Sequence, residues 1–476
     1  MRLRQWQSEA VARCLSTFQS GVQHFLCLAT PGAGKTIMAS TVAKRLFNSD
    51  KIDLVLCFSP SVAVSDSFRT TLESIVGARL DGRLGAKGLV LTYQSMINLD
   101  PAFWSILLNH RTLVIFDEIH HCAGDYLGNG NAWGQSIIQH LQGNTTYSLA
   151  LTGTPWRSDR FPISLASYCR DGKVFCDYIY GLADAIKDGV CRQPNITAID
   201  NDRITLSHHS DEDAYGSFGE LLQSSNCSYQ QLIENTVLIR HLLERSQMKL
   251  KECRKESADA AGLIVAATVE HALVIADILE SVCHEYPTVV TYKHDDPQAQ
   301  IQRFRDSDSQ WVVSVGMISE GTDIPRLQVC CYLTKVKTEL YYRQVLGRIL
   351  RKNKNTHEHA HLIMPAEPTL LEFAHRVAID VPSENTVSIE NLRQSLDIST
   401  QDAKDLSPEL EESKNLIGLH LASDENSDLE QREAISNIPE ALTKNPSLTS
   451  LADAYDANLG LFGRFRNRII KLSISI

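Results

Sequence analysis

One octapeptide limits this 476-residue chain more than any other feature: Ala29-Thr30-Pro31-Gly32-Ala33-Gly34-Lys35-Thr36. It follows the apolar run His24–Leu28 and precedes the helical run Ile37–Leu46. A glycine-rich turn between a buried strand and a helix is the arrangement that cradles phosphate. Gly32 and Gly34 let backbone N–H groups turn inward around phosphate oxygens, with Ala33 between them. The positive end of the helix that starts near Lys35 faces the same anion. Lys35 is expected at the β and γ phosphates of a nucleotide, and Thr36 on Mg²⁺. Ala29 stands where a first glycine is usual.

Apolar runs alternate with amphipathic helical stretches up to about residue 365. Strands are expected at His24–Ala29, Leu54–Ser59, Leu89–Leu91, Leu113–Phe116 and Ser148–Leu151. A second series is expected at Leu263–Ala266, Thr288–Thr291, Trp311–Val315, Leu327–Leu333 and Ala360–Met364. Apolar strands interleaved with helices predict parallel sheets covered on both faces. The fold class is therefore α/β, with two tandem parallel-sheet domains. The first is expected over 1–190 and the second over 263–383. Residues 191–262 read as a linker and helical insertion, with helices at Phe218–Leu222 and Tyr229–Lys255. Residues 384–476 read as an acidic C-terminal extension, partly helical at Asn385–Leu396 and Pro408–Leu421.

Charge is concentrated in that extension. Between Glu384 and Glu440 there are fourteen Asp/Glu against four Lys/Arg, which accounts for nearly all of the net −11. The acidic balance therefore does not exclude a nucleic-acid partner for the first 383 residues. The twelve cysteines show no repeated CxxC spacing, and Cys330 and Cys331 sit inside an apolar run. The N-terminal residues lack the apolar core of a signal peptide, and no apolar run reaches roughly 18 residues. A reducing, cytoplasmic compartment without a membrane partner is expected.

Leu113-Val114-Ile115-Phe116-Asp117-Glu118-Ile119-His120 reads as a buried strand ending in two carboxylates. In parallel sheets, ligands gather at the carboxyl ends of strands. Asp117 is placed to hold Mg²⁺, and Glu118 to orient and deprotonate the water attacking a γ-phosphate. His120-His121-Cys122 offers too few neighbouring ligands for a metal site of its own.

Taken together these residues resemble a superfamily 2 DExH-type helicase or translocase, of the restriction-enzyme and repair subgroup. The resemblance runs in chain order over roughly residues 3–355. Leu3-Arg4-Gln5-Trp6-Gln7 resembles the adenine-recognition motif, which implies Gln7 as the adenine reader. Asp117-Glu118-Ile119-His120 is the DExH form of the second motif. Thr152-Gly153-Thr154-Pro155 resembles the third, which implies that His120, Thr152 and Thr154 couple hydrolysis to domain movement. Ser319-Glu320-Gly321-Thr322-Asp323-Ile324-Pro325 resembles the fifth, which implies a nucleotide contact at Asp323. Gln344-Val345-Leu346-Gly347-Arg348-Ile349-Leu350-Arg351 resembles the sixth. Arg348 and Arg351 share a helix face and would stabilise phosphoryl charge from across a cleft, with Gln344 one turn before. The resemblance implies two RecA-like domains, ATP and Mg as cofactors, and movement on nucleic acid, DNA favoured over RNA.

Family contacts to nucleic acid run mostly to phosphates, which placed amides and hydroxyls can make. Candidates by resemblance are Pro60, Ser61, Tyr93, Gln94, Thr268 and Thr322; Tyr93 could stack a base or equally pack beside its strand. No strand-separating hairpin or nuclease motif is recognisable. His357, His359 and His361 read as strand packing, and Arg464, Arg466 and Arg468 as a solvated basic end. Two competing readings stay open: a nucleotide-gated DNA-binding subunit of a restriction or phage-defence complex, with the extension docking a protein partner, and an RNA helicase.

Overall fold

The computed structural model describes residues 2–124, 130–154, 161–168, 170, 174–208, 211–293, 296–318, 322–352, 359–380, 458–461 and 465–471. Five strands open the chain: β1 (His24–Ala29), β2 (Leu54–Ser59), β3 (Gly88–Thr92), β4 (Thr112–Phe116) and β5 (Tyr147–Thr152). A small antiparallel pair follows, β6 (Ser167–Tyr168) with β7 (Val174–Phe175). Then β8 (Tyr178–Tyr180) joins the first sheet beside β1. The order is β3-β2-β4-β5-β1-β8, and every pairing is parallel. Every residue of β4 is buried, as expected for a central strand with both faces covered by helices.

The chain continues through β9 (Gln193–Asn201), β10 (Ile204–His208), β11 (Asp211–Tyr215), β12 (Ala261–Ala266), β13 (Thr288–Val290), β14 (Trp311–Ser314), β15 (Leu327–Leu333) and β16 (His359–Pro365). It ends in β17 (Asn458–Leu461) and β18 (Phe465–Lys471). The second large sheet has the order β13-β14-β12-β15-β16-β9-β18. All its pairs are parallel except β18, which runs antiparallel to β9. β11, β10 and β17 make a separate antiparallel sheet. The two large sheets are the two tandem parallel-sheet domains that the strand pattern implied.

Residues 191–262 are more than a linker and helical insertion. β9 pairs with β16 from His359↔Gln193 to Pro365↔Ile199, deep in the second sheet. Its burial alternates over the first five residues, with a proline second, so it lacks the continuous apolar run of the other strands. The long helix expected over Tyr229–Lys255 is two, Tyr229–Glu234 and Thr236–Glu256. Asn235 separates them by accepting from the Val237 and Leu238 N–H groups at 3.0 and 3.2 Å, an N-cap. The described part of the C-terminal extension is strand, β17 and β18, not helix. The expected helices Asn385–Leu396 and Pro408–Leu421 lie outside the described residues, as do His357 and Arg464.

Trp6, on the first helix (Gln5–Gln19), stacks on Tyr180 of β8 with ring centroids 4.7 Å apart. This contact carries Arg4 and Gln7 to the edge of the glycine-rich turn. Cys330 and Cys331 lie buried in β15, where burial pushes the Cys331 thiol up to about 12. No described helix is long and apolar enough to cross a membrane.

Candidate nucleotide site between the two sheets

β5 lies between β1 and β4, so the segments leaving the carboxyl ends of these three strands meet. The turn after β1 holds Gly32 at φ +82° and Gly34 at φ +95°, the left-handed region that favours glycine. Helix Lys35–Asn48 starts on Lys35, and its N-cap Gly34 brings no capping side chain. Its first amides therefore remain available to an anion. The turn is braced from outside. Arg4 Nη1 donates to the Ala33 carbonyl at 2.6 Å, and Gln7 Nε2 donates to the Gly34 carbonyl at 3.0 Å. Gln7 Oε1 in turn accepts from the Arg4 N–H at 2.9 Å. The expected adenine reader is thus also a brace for the loop. Arg4 had no role assigned from sequence, although it stands in the motif that contains Gln7.

Asp117 follows β4, its N–H donating to the Phe58 carbonyl and its own carbonyl accepting from the Tyr93 hydroxyl, both at 2.8 Å. Glu118 adopts φ +51°, a conformation that costs a non-glycine residue about 1–3 kcal/mol. Its carboxylate is held on three sides: Lys35 Nζ at 2.5 Å, the Gly153 N–H at 3.0 Å and His120 Nδ1 at 3.4 Å. Burial pushes this carboxyl up, but the Lys35 ammonium, His120 and the Gly153 N–H together hold it below the usual carboxylate range. Buried His120 also places Nδ1 3.0 Å from Thr152 Oγ1 and 3.4 Å from Thr154 Oγ1. Thr152 Oγ1 donates to the Thr154 carbonyl at 2.7 Å. A continuous polar chain thus joins Glu118 to the segment after β5.

The second sheet contributes helix Glu339–Ile349, N-capped by Thr338. Arg348 Nη1 donates to the Thr322 carbonyl at 2.6 Å. Arg351 Nη1 donates to the same carbonyl at 2.9 Å and to Asp323 Oδ1 at 2.5 Å. This helix lies directly on the glycine-rich turn. A Cβ on Gly347 would come within 2.9 Å of Pro31 Cβ, and one on Gly32 within 3.0 Å of Arg351 Cγ. Between the halves is a cleft of about 480 Å³, lined by Lys35, Thr36, Asp117, Glu118, Asp323, Gln344, Arg348 and Arg351. Ser319, Glu320 and Gly321 lie outside the described residues.

The nucleic-acid candidates are dispersed. Pro60 and Thr322 line the same cleft as Lys35 and Arg348. Ser61 and Thr268 are N-caps, of helices Val62–Val76 and Val269–Cys283. Gln94 is exposed. Tyr93 is a correction: it is fully buried, stacked on Trp133 at 5.9 Å, with its hydroxyl on the Asp117 carbonyl. It cannot stack on a base from there, and instead it fixes the acidic turn.

The residues present fit a nucleotide with Mg²⁺. The open helix N-terminus and Lys35 suit phosphate, and Thr36 and Asp117 bring a hydroxyl and a carboxylate to the same cleft. Mg²⁺ is commonly held by one or two carboxylates, with phosphate and water completing its shell. Among the described residues no cluster of three or more His, Cys, Asp or Glu forms a metal cage of its own.

Residues 1–157 match the family model described as type III restriction enzyme, res subunit. An uncharacterized protein of Mycobacterium leprae is 32% identical over 389 residues, covering 78% of this chain and 63% of the relative. The DNA 3'-5' translocase XPB2 of Sulfurisphaera tokodaii is 25% identical over 390 residues, covering 74% of this chain and 79% of the relative. A solved fragment assigned to the HsdR subunit of a type I restriction enzyme from Vibrio vulnificus has a similar fold. Its TM-score is 0.55 at 16% identity, over 80% of this chain and 67% of that one. The chain is thus similar over its first third to restriction-enzyme res subunits, and over most of its length to a DNA translocase. It spans 63% of the length of the mycobacterial relatives it matches.

Proposed function

We propose that the chain is a nucleic-acid-dependent ATPase of helicase or translocase type that works on DNA, hydrolysing ATP with Mg²⁺ in the cleft between its two RecA-like domains. One observation carries the reading. Lys35 and Glu118 of the first sheet face Arg348 and Arg351 of the second across a single cleft, with Arg351 resting on Gly32.

The resting contacts point to an order of events. Lys35 is paired with Glu118. An incoming phosphate competes for Lys35, and Glu118, relieved of its strongest partner, becomes a better base for the attacking water. Arg348 and Arg351 rest on the Thr322 carbonyl, from which they can turn to the charge that builds on the transferred phosphoryl. Mg²⁺, held by Thr36 and Asp117, would neutralise phosphate charge. The His120, Thr152 and Thr154 chain carries the state of Glu118 to the segment after β5. Ser61 and Thr268 occupy equivalent places, each capping the helix that follows a strand of its own sheet. Both suit phosphates of a strand lying across the two domains. DNA is favoured over RNA because the XPB2 relative is a DNA translocase.

Phosphate release measured with single-stranded DNA, duplex DNA and RNA tests the reading. DNA should stimulate most, and Lys35→Ala and Glu118→Gln should each abolish turnover. The absence of stimulation by any nucleic acid would overturn it.

A further inference from the structure

Arg192 lies in the segment that leads from the first sheet into β9, outside every motif read from the sequence. It is fully buried, and burial lowers its guanidinium to about 10, so it stays charged at neutral pH. Its Nη1 donates to the carbonyls of Leu327 and Ile349, each at 3.0 Å, and to that of Arg351. Its Nη2 donates to the Pro325 carbonyl at 3.1 Å, and its own N–H to the Leu350 carbonyl at 2.8 Å.

These acceptors are not scattered. Ile349 ends the helix that presents Arg348 and Leu350 caps it, where carbonyls lack intrahelical partners and carry the negative end of the dipole. Arg351, expected on the same helix face, follows just beyond the cap. Pro325 follows Thr322 and Asp323, the groups on which Arg348 and Arg351 rest. The neighbouring residue reaches the other half of the cleft. Cys191 forms an isolated β-bridge with Arg351, and its thiol points at the Pro31 carbonyl at 3.8 Å. A planar fork with five donors can collect carbonyls from three directions, which a compact ammonium cannot.

We infer that Arg192 is the positioning residue for the Arg348 and Arg351 pair: the interdomain segment uses its guanidinium to fix the end of the arginine helix against the segment that holds Thr322 and Asp323. The role rests on the ATPase reading above, because it acts on the groups assigned to phosphoryl charge. It makes the segment between the domains part of the site's geometry and not merely a tether.

The test compares the full chain with Arg192→Lys and Arg192→Gln by ATP turnover, binding of a fluorescent ADP analogue, and amide exchange. In the folded variants kcat should fall at least about tenfold, because small displacements of a positioned group cost that much. KM for ATP and the analogue Kd should stay within about threefold. Exchange should quicken over residues 347–352 while β1 and β12 keep their protection. Unchanged kcat and exchange in a folded variant would overturn the inference. So would a loss confined to KM, exchange quickened evenly across the second sheet, or failure of both variants to fold, since each marks a general staple. If the unaltered chain shows no nucleic-acid-stimulated turnover, the ATPase reading falls, and the exchange pattern alone decides whether Arg192 positions the helix end.

Discussion

Gly347→Ala sets helix propensity against interdomain fit. Gly347 sits inside helix Glu339–Ile349, where alanine is favoured over glycine by about 1 kcal/mol. Its new Cβ would stand 2.9 Å from Pro31 Cβ and 3.1 Å from Pro31 Cγ. Carbon atoms pack at about 3.5–4.0 Å, so the helix must withdraw from the loop by roughly 0.6 Å. The proline ring is stiff and cannot yield by turning away. The overpacking, typically about 1–3 kcal/mol, lies between domains that can relieve it by separating slightly. The fold should therefore keep its stability to within about 1 kcal/mol, while Arg348 and Arg351 are carried away from the glycine-rich turn. A displacement near 1 Å can cost about a hundredfold in rate, so 0.6 Å is expected to cost roughly tenfold in kcat. Nucleic-acid-stimulated phosphate release, measured beside a thermal melt, reads both effects. Turnover within twofold of the unaltered chain would refute the reasoning, as would a melt lowered in proportion to the lost activity.

Other perturbations reach other parts of the molecule. Tyr93→Phe removes the donor to the Asp117 carbonyl and should cost about 1–2 kcal/mol in denaturant unfolding without weakening single-stranded DNA binding; weaker DNA binding at unchanged stability would return Tyr93 to the nucleic-acid track. His24, bonded to Ser148 Oγ at 2.8 Å, is lowered by burial from its ordinary 6.5 to about 4. The unfolded chain therefore takes up this proton first, and stability should decline by roughly 1–3 kcal/mol as pH falls from about 6.5 toward 4. His24→Gln should flatten that slope in urea titrations at several pH values. Deleting residues 458–476 removes β17 and β18, the latter paired with β9 over seven residues from Phe465 to Lys471. It should destabilise the second sheet by a few kcal/mol and speed amide exchange in β9, leaving β1 protected.

What the sequence could disclose depended on how each element is buried. Strands covered on both faces leave continuous apolar runs, and β1, β2 and β15 begin and end where those runs do. β9 escaped notice because its burial alternates over its first five residues and its signal is diluted by Pro194 and Asn195. β18 escaped because its only described partner in the sheet, β9, lies far back in the chain, and no local pattern marks such a pairing. The cleft behaves similarly. Lys35, Glu118, Arg348 and Arg351 stand in motifs whose spacing reflects their chemistry, and the structure brings them together. Arg4 and Arg192 act on backbone carbonyls, which leave no trace in a neighbouring residue type. Tyr93 was open to base stacking or to packing beside its strand, and only the fold, which turns its ring under Trp133, separates the two.

The pairing of β18 with β9 also has a bearing on synthesis. The first sheet has all its strands once Tyr180 has left the ribosome, and it can fold while the rest is made. The second sheet waits for Lys471. At about 5–20 residues per second that interval is roughly 15–60 s. Until Pro365 is made β9 has neither of its partners. From there to Lys471 it can pair with β16 alone, its other edge offering unclaimed N–H and C=O groups to any passing strand. The newborn chain therefore has a period of exposure that the finished molecule conceals.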